Sequence, residues 1–282
     1  MAEVLRYAAF TLGGEGGNPA GVVLDAEELD AAEMQRIAAE VGYSETAFLR
    51  ARSDEPNVYD VRYFAPEREV PFCGHATIAS AVALAEREPA AEMIFHTPAG
   101  LVTLNTEESS AGVVAELTSV APRVVDPPEG LVEACLEALS WAPEDLDPSY
   151  PPKLANAGAE HLILVVRTHE RLRDLHYDFD ALAAIMEEHG LVTLQLVWPK
   201  SRRKYFARNP FPSGGVVEDP ATGAAAAAFG GYLRELGKIG HTASFIIRQG
   251  AEMGRPSLIE VSVMEGEPGV RLRGLASRIE ED

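Results

Sequence analysis

Two stretches of the chain are apolar on every side of a helical wheel. Ala76 to Ala85 and Ala224 to Leu236 show no polar face over their first several positions, and a helix with that pattern is one enclosed by protein. Each is delivered by a short segment with an acidic approach and a glycine. The first is Pro71-Phe72-Cys73-Gly74-His75-Ala76-Thr77 and the second is Glu218-Asp219-Pro220-Ala221-Thr222-Gly223-Ala224. Shorter runs of strand composition surround both, so each half of the chain reads as a sheet wrapped around its own helix.

The first half opens with a strand over Val4 to Leu12. A glycine-rich turn, Gly13-Gly14-Glu15-Gly16-Gly17-Asn18-Pro19-Ala20-Gly21, leads into Val22-Val23-Leu24. The glycine spacing is not G-x-G-x-x-G and an apolar strand follows instead of a helix, so a β-hairpin is expected here and not a nucleotide loop. Leu29 to Val41 places Met34, Ile37, Ala38 and Val41 at helical spacing, with Asp30 and Glu33 as a capping box and Gly42 as the stop. Strands are expected over Tyr43 to Leu49, Val58 to Phe64, Met93 to Leu104 and Gly112 to Leu117. Ala121 to Gly130 then holds three prolines in ten residues and reads as a stiff linker.

The second half repeats the plan. Helices are expected over Leu131 to Leu139 and Asp180 to His189. Strands are expected near Lys153 to Asn156, His161 to Val166, Leu191 to Trp198 and Lys204 to Asn209, and again, past the second glycine motif, at Ser244 to Gln249 and Ser257 to Val263. This order makes the chain a degenerate internal repeat. The fold class is α+β, with two pseudo-repeated domains, each a curled, mostly antiparallel sheet around a central helix. The domains are 1–120 and 131–282, joined by 121–130, with the last strand placed to cross back to the first domain.

Composition narrows the functional classes. A formal charge of −20, from 44 acidic and 24 basic residues, argues against a nucleic-acid ligand, which requires lysine and arginine patches. The apolar stretches fall short of the ~18 residues a membrane span needs, and Met1-Ala2-Glu3-Val4 lacks a basic lead into a hydrophobic core. The expectation is a cytoplasmic protein without membrane or nucleic-acid partners. Two cysteines, Cys73 and Cys135, make no disulfide framework, and no Cys/His spacing resembles a zinc site.

The candidate chemistry collects around the two glycine motifs. The first turn of a helix leaves backbone N–H groups unpaired and carries partial positive charge, so the turns at Gly74 and Gly223 suit an anion such as a carboxylate. From spacing alone both glycines serve equally well as tight-turn residues. Within an extended Tyr43-Ser44-Glu45-Thr46-Ala47-Phe48-Leu49, Glu45 shares a face with Tyr43, Ala47 and Leu49. A carboxylate on such a face loses hydration and its pKa rises toward neutrality, which suits an acid/base; a strand-end glutamate reaching solvent fits the same pattern. His75, at a helix start, is either a structural cap or a neutral hydrogen-bonding group of the anion site. Asp219, ahead of Pro220, is either an N-cap or a second carboxylate of the site.

Taken together, Gly17-Asn18-Pro19-Ala20-Gly21-Val22-Val23, Gly42-Tyr43-Ser44-Glu45-Thr46-Ala47-Phe48, Val61-Arg62-Tyr63-Phe64-Ala65-Pro66, Cys73-Gly74-His75-Ala76-Thr77 and Glu218-Asp219-Pro220-Ala221-Thr222-Gly223 resemble, in order and spacing, the PhzF-like isomerases of phenazine biosynthesis. Their fold is that of diaminopimelate epimerase. The resemblance implies two similar domains with the active site in the cleft where both helix N-termini point, a homodimer, and no metal or cofactor. It also implies a small carboxylate-bearing substrate. By the same resemblance Glu45 shuttles a proton between substrate carbons, His75 and Asp219 assist, and Asn18, Gly74, Gly223 and Ala224 bind substrate.

The sequence departs from the wider family in three places. The related epimerases use two facing cysteines; here Cys73 precedes Gly74 and the second motif has no thiol, which argues against two-cysteine racemisation. Ala224 stands where the family often has serine, leaving only backbone donors at that point. Gly13 to Gly17 replaces a bulkier lead-in. Two other readings stay open: a metabolite-binding or interaction module without turnover, since a fold does not fix function, and an amino-acid epimerase, which needs a second base opposite Glu45.

Overall fold

The computed structural model describes residues 2–52, 55–88 and 92–280. The chain divides into two compact units, Met1–Thr118 with Arg273–Asp282, and Ser119–Leu272. The first contains β1 (Leu5–Thr11), β2 (Asn18–Val23), α1 (Ala31–Val41), β3 (Thr46–Ala51), β4 (Val58–Phe64), β5 (Glu69–Val70), α2 (Gly74–Arg87), β6 (Glu92–Thr97), β7 (Gly100–Ser109) and β8 (Gly112–Thr118).

The second runs through β9 (Arg123–Val125), α3 (Leu131–Ala138), β10 (Lys153–Asn156), β11 (Glu160–Val165), α4 (His169–Arg173), α5 (Phe179–His189), β12 (Thr193–Ser201), β13 (Lys204–Phe211), β14 (Val216–Asp219), α6 (Gly223–Glu235), β15 (Ala243–Gln249) and β16 (Ser257–Val263). The final strand, β17 (Val270–Arg278), joins the first unit from Arg273 onward.

The internal repeat is visible in the strand pairings. In the first unit β1 to β4, β6 and β7 pair successively as antiparallel, parallel, antiparallel, parallel and antiparallel neighbours. In the second, β10 to β13, β15 and β16 follow the same sequence. A helix covers the first parallel step of each, α1 between β2 and β3 and α5 between β11 and β12. A longer helix covers the second, α2 and α6. Parallel neighbours need a crossover and antiparallel ones a turn, so this alternation is what a repeated strand and helix order produces.

Each long helix is the centre of its unit. Every residue of α2 from His75 to Ala85 is buried, with β1, β2, β3, β7 and β8 around it. In α6, Gly223 and all residues from Ala225 to Leu233 are buried, against β9, β10, β11, β12 and β16. Alanine suits such a helix because a small side chain lets strands approach on all sides without voids. The buried hydroxyls of α2 are paired. Ser80 donates to the Ala76 carbonyl and Thr77 to the Cys73 carbonyl, each at 2.7 Å, so the Tyr63 hydroxyl, 2.6 Å from Thr77 Oγ1, is the donor of that pair.

The second apolar layer lies outside each sheet. Met34, Ile37 and Ala38 of α1 pack with Val23, Phe48 and Phe64. The second unit has the larger counterpart, in which Leu131, Cys135 and Leu136 of α3 and Leu182 and Met186 of α5 meet Leu162, Leu164, Leu194 and Leu196. Helix α1 starts as its spacing predicts. Asp30 accepts from the Glu33 N–H at 2.9 Å and Glu33 accepts from the Asp30 N–H at 3.0 Å, while Gly42 closes it in the left-handed region with φ 69°.

Several expected elements differ in detail. Met93 to Leu104 is not one strand but the arms of a hairpin, β6 and β7, turning between Thr97 and Gly100. The proline-bearing stretch expected to link the halves contributes β9, which pairs with β10, and Pro122 lies on α6 so closely that a Cβ at Gly231 would come within 2.3 Å of it. Helix α4, β14 and β17 were not read from the sequence. The first two are short, and β17 alternates buried and half-exposed residues, among them Arg271 and Arg273, before an exposed Arg278, which dilutes an apolar signal.

Candidate active site

In the first unit, Asn18 opens β2 and is buried, with 2% of its surface exposed. His75 is the second residue of α2 and is also buried. The Asn18 side-chain nitrogen lies 3.2 Å from His75 Nδ1. With the amide donating, Nδ1 is the acceptor and the ring proton sits on Nε2. That nitrogen faces the Ser44 hydroxyl at 3.3 Å and the Glu45 carboxylate, Oε2, at 3.4 Å.

Glu45 was expected inside a strand; instead β3 begins one residue later, at Thr46. Gly42 turns the chain out of α1 through bends at Tyr43 and Ser44, and the Glu45 carbonyl accepts from the Gly21 N–H at 3.1 Å. The residue is therefore anchored at the mouth of β3 with its side chain 17% exposed. Burial raises its carboxyl above the usual carboxylate range, and hydrogen bonds from Ser44 and Cys73 offset part of that rise.

Cys73 is the N-cap of α2 but makes no capping bond with its side chain. Its sulfur lies 3.4 Å from His75 Nδ1. The first turn of α2, beginning at Gly74, thus has no side-chain cap from within the helix.

In the second unit Asp219 ends β14 and is 8% exposed. It is not the N-cap of α6, and Pro220 is not its first residue. The helix begins at Gly223, followed by Ala224, with Thr222 as N-cap and no capping bond from the Thr222 side chain. The Asp219 carboxylate instead accepts from the Thr222 hydroxyl at 2.5 Å.

Gln249, at the end of β15, holds this turn from behind. Its amide nitrogen donates to the Asp219 carbonyl at 2.7 Å and to Thr222 Oγ1 at 3.0 Å, and its oxygen accepts from the Thr222 N–H at 3.3 Å. The next residue, Gly250, has φ +75°, and a Cβ there would stand 2.7 Å from the Pro220 carbonyl and 2.4 Å from that of Arg255. Only glycine allows both that backbone and that approach.

Two other groups brace the same segment. Glu218 is paired with Arg208, Nε to Oε1 at 3.0 Å and Nη2 to Oε2 at 2.5 Å, and Arg208 also donates to the Arg173 carbonyl at 2.9 Å. Asn209, the register partner of Asp219, donates to Thr193 and Gln195. Thr193 in turn meets His161 at 2.9 Å, whose pKa burial pushes down to about 4, so the ring is neutral.

A family model described as phenazine biosynthesis-like protein matches residues 7–281. The chain belongs to that family. The uncharacterized isomerase YfhB of Bacillus subtilis is 32% identical over 98% of this chain and 96% of its own length. A trans-2,3-dihydro-3-hydroxyanthranilate isomerase of Pseudomonas chlororaphis is 32% identical over 86% of this chain and 84% of its own. The crystal structure of a PhzF-family phenazine biosynthesis protein from Bacillus anthracis superposes with a TM-score of 0.87 at 26% identity, covering 98% and 96% of the two chains. Family and fold make this protein a PhzF-like isomerase.

Among the residues singled out from the sequence of this PhzF-like isomerase, the first unit brings Asn18, Glu45 and His75 together at the start of α2, where Gly74 lies. Asp219, Gly223 and Ala224 lie at the start of α6 in the second. Ser44, Gln249 and Arg208 were missed as supporting groups, and Cys73 was noted only as a departure. Ser44 was legible as a neighbour of Glu45. Gln249 stands thirty residues from Asp219 in the chain, and no local pattern announces such a partner. Among the described residues no helix is long and apolar enough to cross a membrane.

Proposed function

We propose that this PhzF-like isomerase moves a proton between two carbons of a small carboxylate-bearing metabolite, with Glu45 as the base and then the acid. The observation that carries this reading is the Glu45 carboxyl, raised above its ordinary range by burial and set 3.4 Å from His75. A carboxyl tuned upward takes a proton and returns it near neutral pH, where an ordinary glutamate would be a weak base. The substrate carbon loses its proton to Glu45 next to an electron-withdrawing group, and the same proton returns to another carbon. The step changes no oxidation state of the whole molecule and calls for no cofactor.

The other groups have positioning and electrostatic roles in this reading. His75, oriented by Asn18, donates from Nε2. The first-turn N–H groups at Gly74 stabilise the charge that builds up beside the reacting carbon, and within the second unit those at Gly223 and Ala224, with Asp219 near them, suit a polar or anionic group. The name of the Pseudomonas chlororaphis relative, a dihydro-hydroxyanthranilate isomerase, supports a cyclic carboxylate as the substrate class. Two cysteines in the chain, both buried, fit a reducing, cytoplasmic setting, and a homodimer completes the reading, checked by light scattering.

The test is NMR of the protein in D₂O with a panel of small cyclic and amino-acid carboxylates, beside Glu45→Gln. Deuterium entering one carbon position only with intact Glu45 supports the reading. A ligand that binds without exchange overturns it.

A further inference from the structure

Three potential metal ligands of different chemistry meet at the start of α2. His75 Nε2 lies 3.4 Å from Glu45 Oε2 and 3.8 Å from Cys73 Sγ, and one donor atom from each of the three falls within 4.8 Å of the others. Bonds of roughly 2.0–2.3 Å in a tetrahedral zinc site place neighbouring ligands about 3.3–3.6 Å apart, close to the separations found here. All three residues lie in or next to regular structure. Cys73 and His75 bracket the start of a buried helix, and Glu45 is fixed by its carbonyl bond to Gly21.

The donor set selects the ion. One thiolate, one imidazole and one carboxylate suit a borderline-soft divalent cation and do not suit magnesium or calcium, which need six or more oxygens. Asn18 stands behind the His75 ring at Nδ1, 3.2 Å away, where metal-bound histidines usually have a polar partner that orients them. The partial exposure of Glu45 leaves a side from which an ion enters and a water completes the coordination.

We propose that Glu45, Cys73 and His75 form a binding site for a soft divalent cation of the zinc class, whose occupancy excludes proton transfer. Binding releases the Cys73 thiol proton and any proton on Glu45 to solvent, and moves the His75 ring proton from Nε2 to Nδ1, where the Asn18 amide turns to accept it through its oxygen; the lone pairs of Glu45 Oε2 and His75 Nε2 are then free for the ion. The binding part stands on the geometry; the inhibitory part rests on the reading of Glu45 as the acid/base.

Cobalt(II) titration of the metal-free full chain tests it. The expected result is one cobalt bound with a near-ultraviolet thiolate-to-cobalt charge-transfer band, displaced by zinc, and Glu45→Gln weakening binding at least about tenfold. Cys73→Ser removes the band and Cys135→Ser keeps it; both variants are checked for native circular dichroism. Burial pushes the Cys135 thiol up to about 12, so in the wild type zinc is also expected to slow maleimide labelling at Cys73 and leave Cys135 as it was. No charge-transfer band at millimolar cobalt, or a band that survives in folded Cys73→Ser, overturns the site. Deuterium exchange that continues with the site full overturns the inhibition. Absence of exchange in metal-free protein alongside a normal cobalt spectrum would sink the isomerase reading and leave the cation site standing.

Discussion

The Nε2 atom of His75 and the Oε2 atom of Glu45 are 3.4 Å apart, although one residue opens a helix and the other leads into a strand thirty residues earlier. Hydrogen bonds from Ser44 and Cys73 favour the ionised Glu45 carboxylate, while burial favours the protonated one. Burial is the larger influence on Glu45, and that balance shapes the first two predictions.

Glu45→Gln keeps the side-chain volume and removes the proton carrier. Solvent-deuterium exchange into substrate is expected to fall about a hundred- to ten-thousand-fold, with native circular dichroism. Exchange within threefold of wild type would assign the proton transfer to another group.

The raised Glu45 carboxyl has a defined pH signature. The base form is needed for activity, so the acid limb of kcat/KM lies above the ordinary carboxylate range. For stability, the folded state binds a proton that the unfolded state has already lost. This contribution is therefore fully present below the unfolded-state value, declines as pH rises from there, and is lost once pH has passed through the raised folded-state value. Thermal melts of wild type and Glu45→Gln across pH should show the variant gaining on the wild type from acid to neutral pH. A constant gap would contradict burial of the ionised group.

Gln249→Leu removes three hydrogen bonds that hold the Asp219 to Thr222 turn from β15. Leaving the Asp219 carbonyl and the Thr222 N–H without that partner is expected to cost about 2–4 kcal/mol in urea denaturation. In the surviving folded enzyme kcat/KM should fall further than for an equally destabilising core change such as Leu194→Ala. Equal losses would make Gln249 a structural residue only.

Arg208→Met strands a Glu218 carboxylate that is almost fully buried. The expected loss is about 3–5 kcal/mol, because an unpaired buried charge is the costly case. Adding Glu218→Leu should recover most of it, measured as a double-mutant cycle by chemical denaturation.

Some of this was readable residue by residue. The capping box of α1 and its glycine stop are contacts within a few positions of the chain, so Asp30, Glu33 and Gly42 announce them. The two buried helices were legible because only a helix enclosed on all sides tolerates alanine where a surface would need charge. Glu45 was placed inside the strand, one residue short of where β3 begins, since alternation of polar and apolar positions does not show where pairing begins. Asp219 fits an N-cap by local pattern, and it lost that role because Gln249 and the Thr222 hydroxyl hold the turn three residues further on.

The amino-acid order alone determined the α+β class, the doubled plan, the two buried helices and the names of most candidate residues, because these depend on periodicity and on near neighbours. Tertiary structure decided what those residues meet. The Asn18, Glu45, Cys73 and His75 cluster and the Gln249 clamp join positions from different strands and helices. Their distances follow from how β2, β3, β15 and the helix starts pack, and a linear pattern carries no measure of that.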